Sequence, residues 1–345
     1  MAINVVMCEA VELPGGDGLV GGFGFEGRAG GPRRALLPNG HELEVYDLDE
    51  LFAGERAPAA VLPLPWPGWD RGVHSVSPDG SYAVFSGQRA VRAVAADGGA
   101  TLWEYRHGCW GARTGHPHTG DEHEVCDGYA HGSCRVSDDG RLVWAHVADG
   151  ERELWVVLDA TDGRELARLP LDGAAAGSHH RSHPDGVHMG LSIGMGQDGI
   201  LLHWARWNGE RLIDWDLNET LDRILTDVHP AHRGFLTVEH YGADLHLHAL
   251  DGSVLAAATP DGHGGPEAPP PSWGHGCGFV DADTVIAPTA EDHWLLDART
   301  LEVRGRVAYP GGPATGHVLP LGDGTWLTYD GTSRTLGRWA VATRE

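Results

Sequence analysis

A glycine recurs at a nearly fixed distance ahead of an aspartate along this chain. Gly30, Gly80, Gly199 and Gly234 stand 17 residues before Asp47, Asp97, Asp216 and Asp251, and Gly140 stands 19 before Asp159. Each aspartate closes a strand-like run after an apolar residue, at Tyr46-Asp47, Ala96-Asp97, Leu158-Asp159, Trp215-Asp216, Leu250-Asp251 and Leu296-Asp297. Two β-type runs separate glycine from aspartate, as in residues 82–85 and 91–94, a third follows the aspartate and a fourth precedes the glycine. Self-similarity of this kind marks a repeat architecture. Four short strands joined by tight turns make a four-stranded antiparallel meander, and a ring of such meanders is an all-β β-propeller.

Composition narrows the function classes. The 51 glycines are scattered singly along 345 residues, as turn punctuation rather than as a linker, and the length suits one large all-β domain. The net charge is −24, and all 25 basic residues are arginine. Such a chain is expected to bind neither nucleic acid nor an anionic membrane. Without lysine it has no Walker-type lysine, Schiff-base lysine or Ser-Lys dyad. Five cysteines with no C-x-x-C spacing argue against a disulfide framework or a zinc ribbon. The first residues carry no basic segment and only a short apolar run, so the expectation is a soluble, cytoplasmic protein without signal peptide or transmembrane helix.

The turns Ser77-Pro78-Asp79-Gly80 and Leu158-Asp159-Ala160-Thr161-Asp162-Gly163 resemble those of WD40, YVTN and quinoprotein-like propellers. Counting the six aspartate-marked units and a seventh at the C-terminal end predicts seven four-stranded antiparallel blades, at about residues 14–70, 71–128, 129–187, 188–224, 225–273, 274–315 and 316–345, the last completed by residues 2–13, so that the N-terminal strand closes the ring as is common in that superfamily. Short Asp-Gly turns would define a plain face. The long crossovers 105–130, 171–187 and 260–274 would define the other, and irregular loops on a rigid scaffold are where function concentrates. A site is therefore expected on the crossover face, at the mouth of the central channel.

Fourteen of the 22 histidines fall in those crossovers or at strand entrances. His74, His131, His188, His229, His275 and His317 each read as standing just ahead of an innermost strand, where side chains converge on the axis. Neutral imidazole is the commonest transition-metal ligand, so these residues predict a centre for Fe or Cu, with Zn or Mn as alternatives. The expected first ligands are His131, His188, His275 and His317, with His74 and His229 next. His116, His118 and His123, in the Cys- and His-rich segment 109–127, are the expected catalytic residues closing over it. Carotenoid cleavage oxygenases and nitrous oxide reductase are propellers with axial histidines, and this chain resembles them in having His near successive inner strands. The resulting expectation is a metal-dependent oxidoreductase acting on a small organic molecule. A metal-assisted lyase, a metal-free acid–base site, and a WD40-like scaffold whose Gly274-His275 and Gly316-His317 are structural stand beside it. Gly190-Leu191-Ser192-Ile193-Gly194 fits G-x-S-x-G but is read as a strand, not as the strand-to-helix elbow a nucleophile needs. His246 and His248 read as sheet surface, and His232 falls on the plain face.

Overall fold

Val, Ile, Trp and Tyr in the short runs favour extended backbone, and the Gly, Asp and Ser between them favour tight turns. The computed structural model describes residues 2–14, 24–27, 31–66, 69, 72–111, 130–150, 152–172, 177–218, 222–260, 272–312 and 317–342. The recurring aspartates act as turn closers. Asp47, Asp159, Asp216, Asp251 and Asp297 each accept the backbone N–H two residues on, at 2.8–3.0 Å. Asp47 thereby also caps the short helix Leu48–Phe52.

The strands form five four-stranded antiparallel sheets and one sheet of eight. The eight-stranded sheet divides at the N-terminal strand Ala2–Glu12 into two meanders, so the described residues hold seven four-stranded blades: 24–63, 74–106, 133–171, 177–216, 223–258, 278–308, and 318–341 with the N-terminal strand. Ala2–Glu12 pairs antiparallel with Thr335–Val341 as the outermost strand of the last blade, and its first residues run parallel to Val303–Ala308 of the blade before. The expected closure by the N-terminal strand is what the register shows.

Seven apolar clusters lie among the described residues, and each spans two consecutive blades. Trp144, Trp155, Trp204 and Trp326 are fully buried in these seams. The closing seam joins Leu321, Leu327 and Leu336 of the last blade to Ala35, Leu37 and Tyr46 of the first, through Val11 and Leu13. Outside that seam Arg33 and Arg338 both reach Asp49 and Asp323.

Buried histidines belong to the seams as well. Trp155 Nε1 donates to His180 Nε2 at 3.0 Å, leaving His180 Nδ1 to donate to Ser133 Oγ at 2.8 Å. Ser133 continues to Ser178 Oγ (2.7 Å), Ser178 to His146 Nδ1 (2.9 Å), and His146 Nε2 to Glu153 (3.0 Å). His248 sits between Thr237 Oγ1 and the Gly252 carbonyl, so it belongs to the interior and not to the sheet surface. Burial lowers the pKa of His146 and His180 and brings His107 and His248 down to about 4.

The fourth blade corrects the expected boundaries. Its innermost strand is Gly177–Ser182, and His188–Gly194 is its second strand. The Gly199–Asp216 spacing misleads because Gly199 lies between the second and third strands, while the true first turn is His183-Pro184-Asp185-Gly186. Gly190 and Ser192 have packing roles: a Cβ on Gly190 would come within 2.0 Å of Leu225, and Ser192 Oγ accepts the Leu225 N–H at 3.2 Å.

Two outcomes are expected. Deleting residues 2–12 removes one strand and opens two seams, so cooperative urea unfolding should be lost, whereas Val254→Ala, at a residue 51 % exposed, should stay within about 0.5 kcal/mol of wild type. An unchanged midpoint in the deletion would contradict the closure. Buried histidines whose folded pKa lies near 4 bind fewer protons than the unfolded chain between pH ~4 and ~6.5. Their contribution is therefore fully present above pH ~6.5 and lost as pH falls toward 4. Urea midpoints measured at pH 7, 6 and 5 should fall in that order, and a flat profile would refute the burial argument.

Candidate functional site

The same strand position recurs around the axis. Two residues before the first turn of successive blades stand Ser75, Arg135, Arg181 and Asp227, followed by Gly278 and Leu319 in the last two. A cavity runs along the axis, walled by Arg181 and Ser182 from the fourth blade, Thr226–Val228 from the fifth, Cys277 and Phe279 from the sixth and Val318–Gly322 from the seventh. Phe25, Gly27 and Asp138 complete it at the turn face.

Most charges around the axis are satisfied. Arg135 pairs with buried Glu26 at 2.8 Å, and Glu26 also accepts the Val76 N–H at 3.1 Å. Arg135 Nε reaches Ser182 Oγ at 3.3 Å, and Ser182 donates to Asp138 at 2.6 Å. Asp227 accepts the N–H groups of Val228 (2.9 Å) and Phe279 (2.8 Å). Its carboxylate fits because Gly278 beside it has no Cβ, which would lie 2.5 Å from Oδ2. Burial raises the Asp227 pKa, an effect that the Arg181 charge partly offsets.

Arg181 differs. It is half-buried in the cavity wall, and among the described residues its guanidinium has neither a hydrogen bond nor an ion pair. Burial lowers its pKa, with Asp227 acting in the opposite sense and Arg135 in the same one. An arginine remains charged throughout the accessible pH range. The cavity thus holds a desolvated cation with five unused donors, beside a carboxylate whose affinity for protons is raised.

The expected histidine ring divides between the two ends of the propeller. His131 stands two residues ahead of Ser133–Val136, its ring lying over Gly177. His275 and His317 stand exposed ahead of Gly278–Phe279 and Val318–Pro320, and His275 Nε2 donates to the His240 carbonyl at 3.0 Å. His74 opens its innermost strand, packed against Trp69 and Phe85, and burial lowers its pKa. These four lie toward the end of the ring opposite the first turns.

His188 and His229 do not. His229 follows the innermost strand Arg223–Val228, and both its ring nitrogens are engaged, Nδ1 by the Ala231 N–H at 2.9 Å and Nε2 by the Ala282 carbonyl at 3.1 Å. His188 begins a second strand, with its ring stacked against Trp204 and Trp215. Both therefore sit at the turn face, because the inner strands that were expected to follow them precede them. His116, His118 and His123 lie outside the described residues. Arg181 and Asp227 were missed, although aligning the turns Ser137, His183 and His229 would have placed Arg135, Arg181 and Asp227 at one repeat position.

No family model and no curated protein matches the chain. Solved structures do. The β-propeller domain of Cps50 (Swd1) from Myceliophteria thermophila superposes with a TM-score of 0.56 at 11 % identity, covering 92 % of this chain and 96 % of that one. KlAtg21, solved in complex with the coiled coil of AgAtg16, gives 0.58 at 9 % identity over 94 % of both chains. Hydrazine synthase from Kuenenia stuttgartiensis gives 0.52 at 12 % identity over 90 % and 93 %. One of these is an enzyme and another holds a coiled coil, so the fold alone does not choose between catalysis and scaffolding. At these identities the likeness shows architecture: the chain is a β-propeller.

Proposed function

We propose that this propeller binds a small organic anion in its axial channel, with Arg181 as the anchor. The observation that carries the reading is a guanidinium in the cavity wall that has no hydrogen bond or ion pair among the described residues. A planar carboxylate matches its fork of donors, and the cost of keeping that charge desolvated suggests that a ligand completes it. Asp227, on the same wall and with a raised pKa, is the group available for proton transfer to or from the bound molecule. If the protein is an enzyme, acid–base chemistry is the class this wall favours.

The expected His-ligated Fe or Cu centre, and the oxidoreductase or lyase activity built on it, receive less support. Among the described residues no group of three His, Cys, Asp or Glu on the crossover face is close enough to share an ion. The scaffold reading is favoured by a different observation, the Trp155–His180–Ser133 relay that uses histidine structurally. A cytoplasmic location remains part of the proposal, supported by the free thiols of Cys8, Cys109, Cys134 and Cys277. Among the described residues no helix is long and apolar enough to cross a membrane.

Calorimetric titration with acetate, succinate and citrate tests the reading. At least one should bind the wild type, and Arg181→Met should weaken it about 10- to 100-fold, the loss expected for a charge-assisted pair of about 1.5–3 kcal/mol. The same variant should unfold at an equal or higher urea concentration, since it removes an unpaired desolvated charge. Absence of binding by all three acids, or equal binding by Arg181→Met, would leave the scaffold reading in its place.

A further inference from the structure

The first turn of the fourth blade departs from its counterparts. In the second and third blades it reads Ser77-Pro78-Asp79-Gly80 and Ser137-Asp138-Asp139-Gly140, and the serine hydroxyl donates to the aspartate at 2.7 and 2.6 Å. In the fourth it reads His183-Pro184-Asp185-Gly186-Val187-His188. The backbone is the same turn, with Gly186 N–H on the His183 carbonyl at 3.1 Å where Gly80 and Gly140 bond Ser77 and Ser137 at 2.9 Å. A hydroxyl suffices for that turn, so the two imidazoles exceed what folding asks of it.

Asp185 lies between the two rings. Its Oδ1 is 3.0 Å from His183 Nδ1 and its Oδ2 is 2.7 Å from His188 Nδ1. The Asp185 N–H also donates to His183 Nδ1 at 3.3 Å, so this nitrogen is the lone-pair atom of a neutral His183. His183 and His188 thus turn their Nδ1 atoms toward one carboxylate, and two imidazole nitrogens converging on a carboxylate are a donor set that a shared cation would satisfy. His183 is completely buried, and among the described residues its Nε2 has no hydrogen-bond partner. One donor atom from each of His183, Asp185 and His188 lies within 4.8 Å of the others. The ring of His232, from the first turn of the fifth blade, is centred 5.3 Å from that of His183.

We infer that His183, Asp185 and His188 form a site for a divalent transition-metal ion, with His232 at its edge. Two imidazoles and a carboxylate suit Zn²⁺, Fe²⁺ or Mn²⁺. An ion held here would tie the turns of the fourth and fifth blades together, beside Pro184 and Pro230 of the channel wall. The site is separate from the anion anchor, so carboxylate titration and metal titration succeed or fail independently.

The experiment is Co²⁺ and Zn²⁺ titration of the untagged full chain, read by bound-metal stoichiometry and by Co²⁺ visible absorption. His183→Ser restores the serine of the sister turns and keeps the fold, and His188→Gln retains a donor toward Asp185. The expected result is one tight equivalent in wild type, a loss of at least tenfold in affinity in each variant, and an unchanged Co²⁺ spectrum in His116→Ala/His118→Ala/His123→Ala. Failure of the wild type to bind either ion, undiminished binding by His183→Ser and His188→Gln, or loss confined to the triple variant would overturn the assignment.

Discussion

Burial of the blade faces against one another is the interaction on which everything else depends. A single four-stranded meander has two faces and cannot cover both, so each blade is stable only between neighbours. The seven apolar seams meet that requirement without leaving a terminal face, because Val5 of the N-terminal strand packs into one seam and Val11 into the next. Closure also determines the channel. Once the blades stand in a ring, equivalent positions on the inner strands face a common axis, and the charge each blade carries there ceases to be a local matter.

That convergence explains the distribution of charge along the wall. Glu26 and Arg135 come from the first and third blades and neutralise each other. Asp227 is held by two backbone N–H groups, one from its own blade and one from the next. Arg181 stands between these neighbours, and among the described residues its guanidinium has no hydrogen bond or ion pair, only the longer-range field of Asp227. Among the described residues, that lone cation is the observation on which the proposed anion site rests.

Histidine serves three purposes in one chain. His180, His146 and His248 bridge strands and seams, taking the place that a hydroxyl or amide could fill elsewhere. His229 closes a turn with both nitrogens. His183 and His188 turn their Nδ1 atoms toward one carboxylate. The residue type is common to all three, and only its neighbours separate the roles, which is why a count of histidines near strand entrances does not identify a site.

Much of the architecture was legible in the chain itself. The turn aspartates have a local mechanism, an N–H two residues on, so the repeat and the all-β class follow from residues near one another in sequence, and the N-terminal strand was placed by counting the strands that the last unit lacks. The fourth blade marks where that reading stops. Gly199 and Asp216 reproduce the spacing of a first turn and a third strand, yet Gly186 makes the turn and Asp216 ends the fourth strand, a one-strand slip that moves His188 from one end of the ring to the other. Local spacing cannot detect such a slip, because turns at both ends of a blade use the same residues. Which side chains meet was decided by tertiary structure alone: Arg135 finds Glu26 across 109 residues of chain, while Arg181 has no hydrogen bond or ion pair among the described residues. The physical reason is that the axis exists only after the ring has closed, and no single blade contains it.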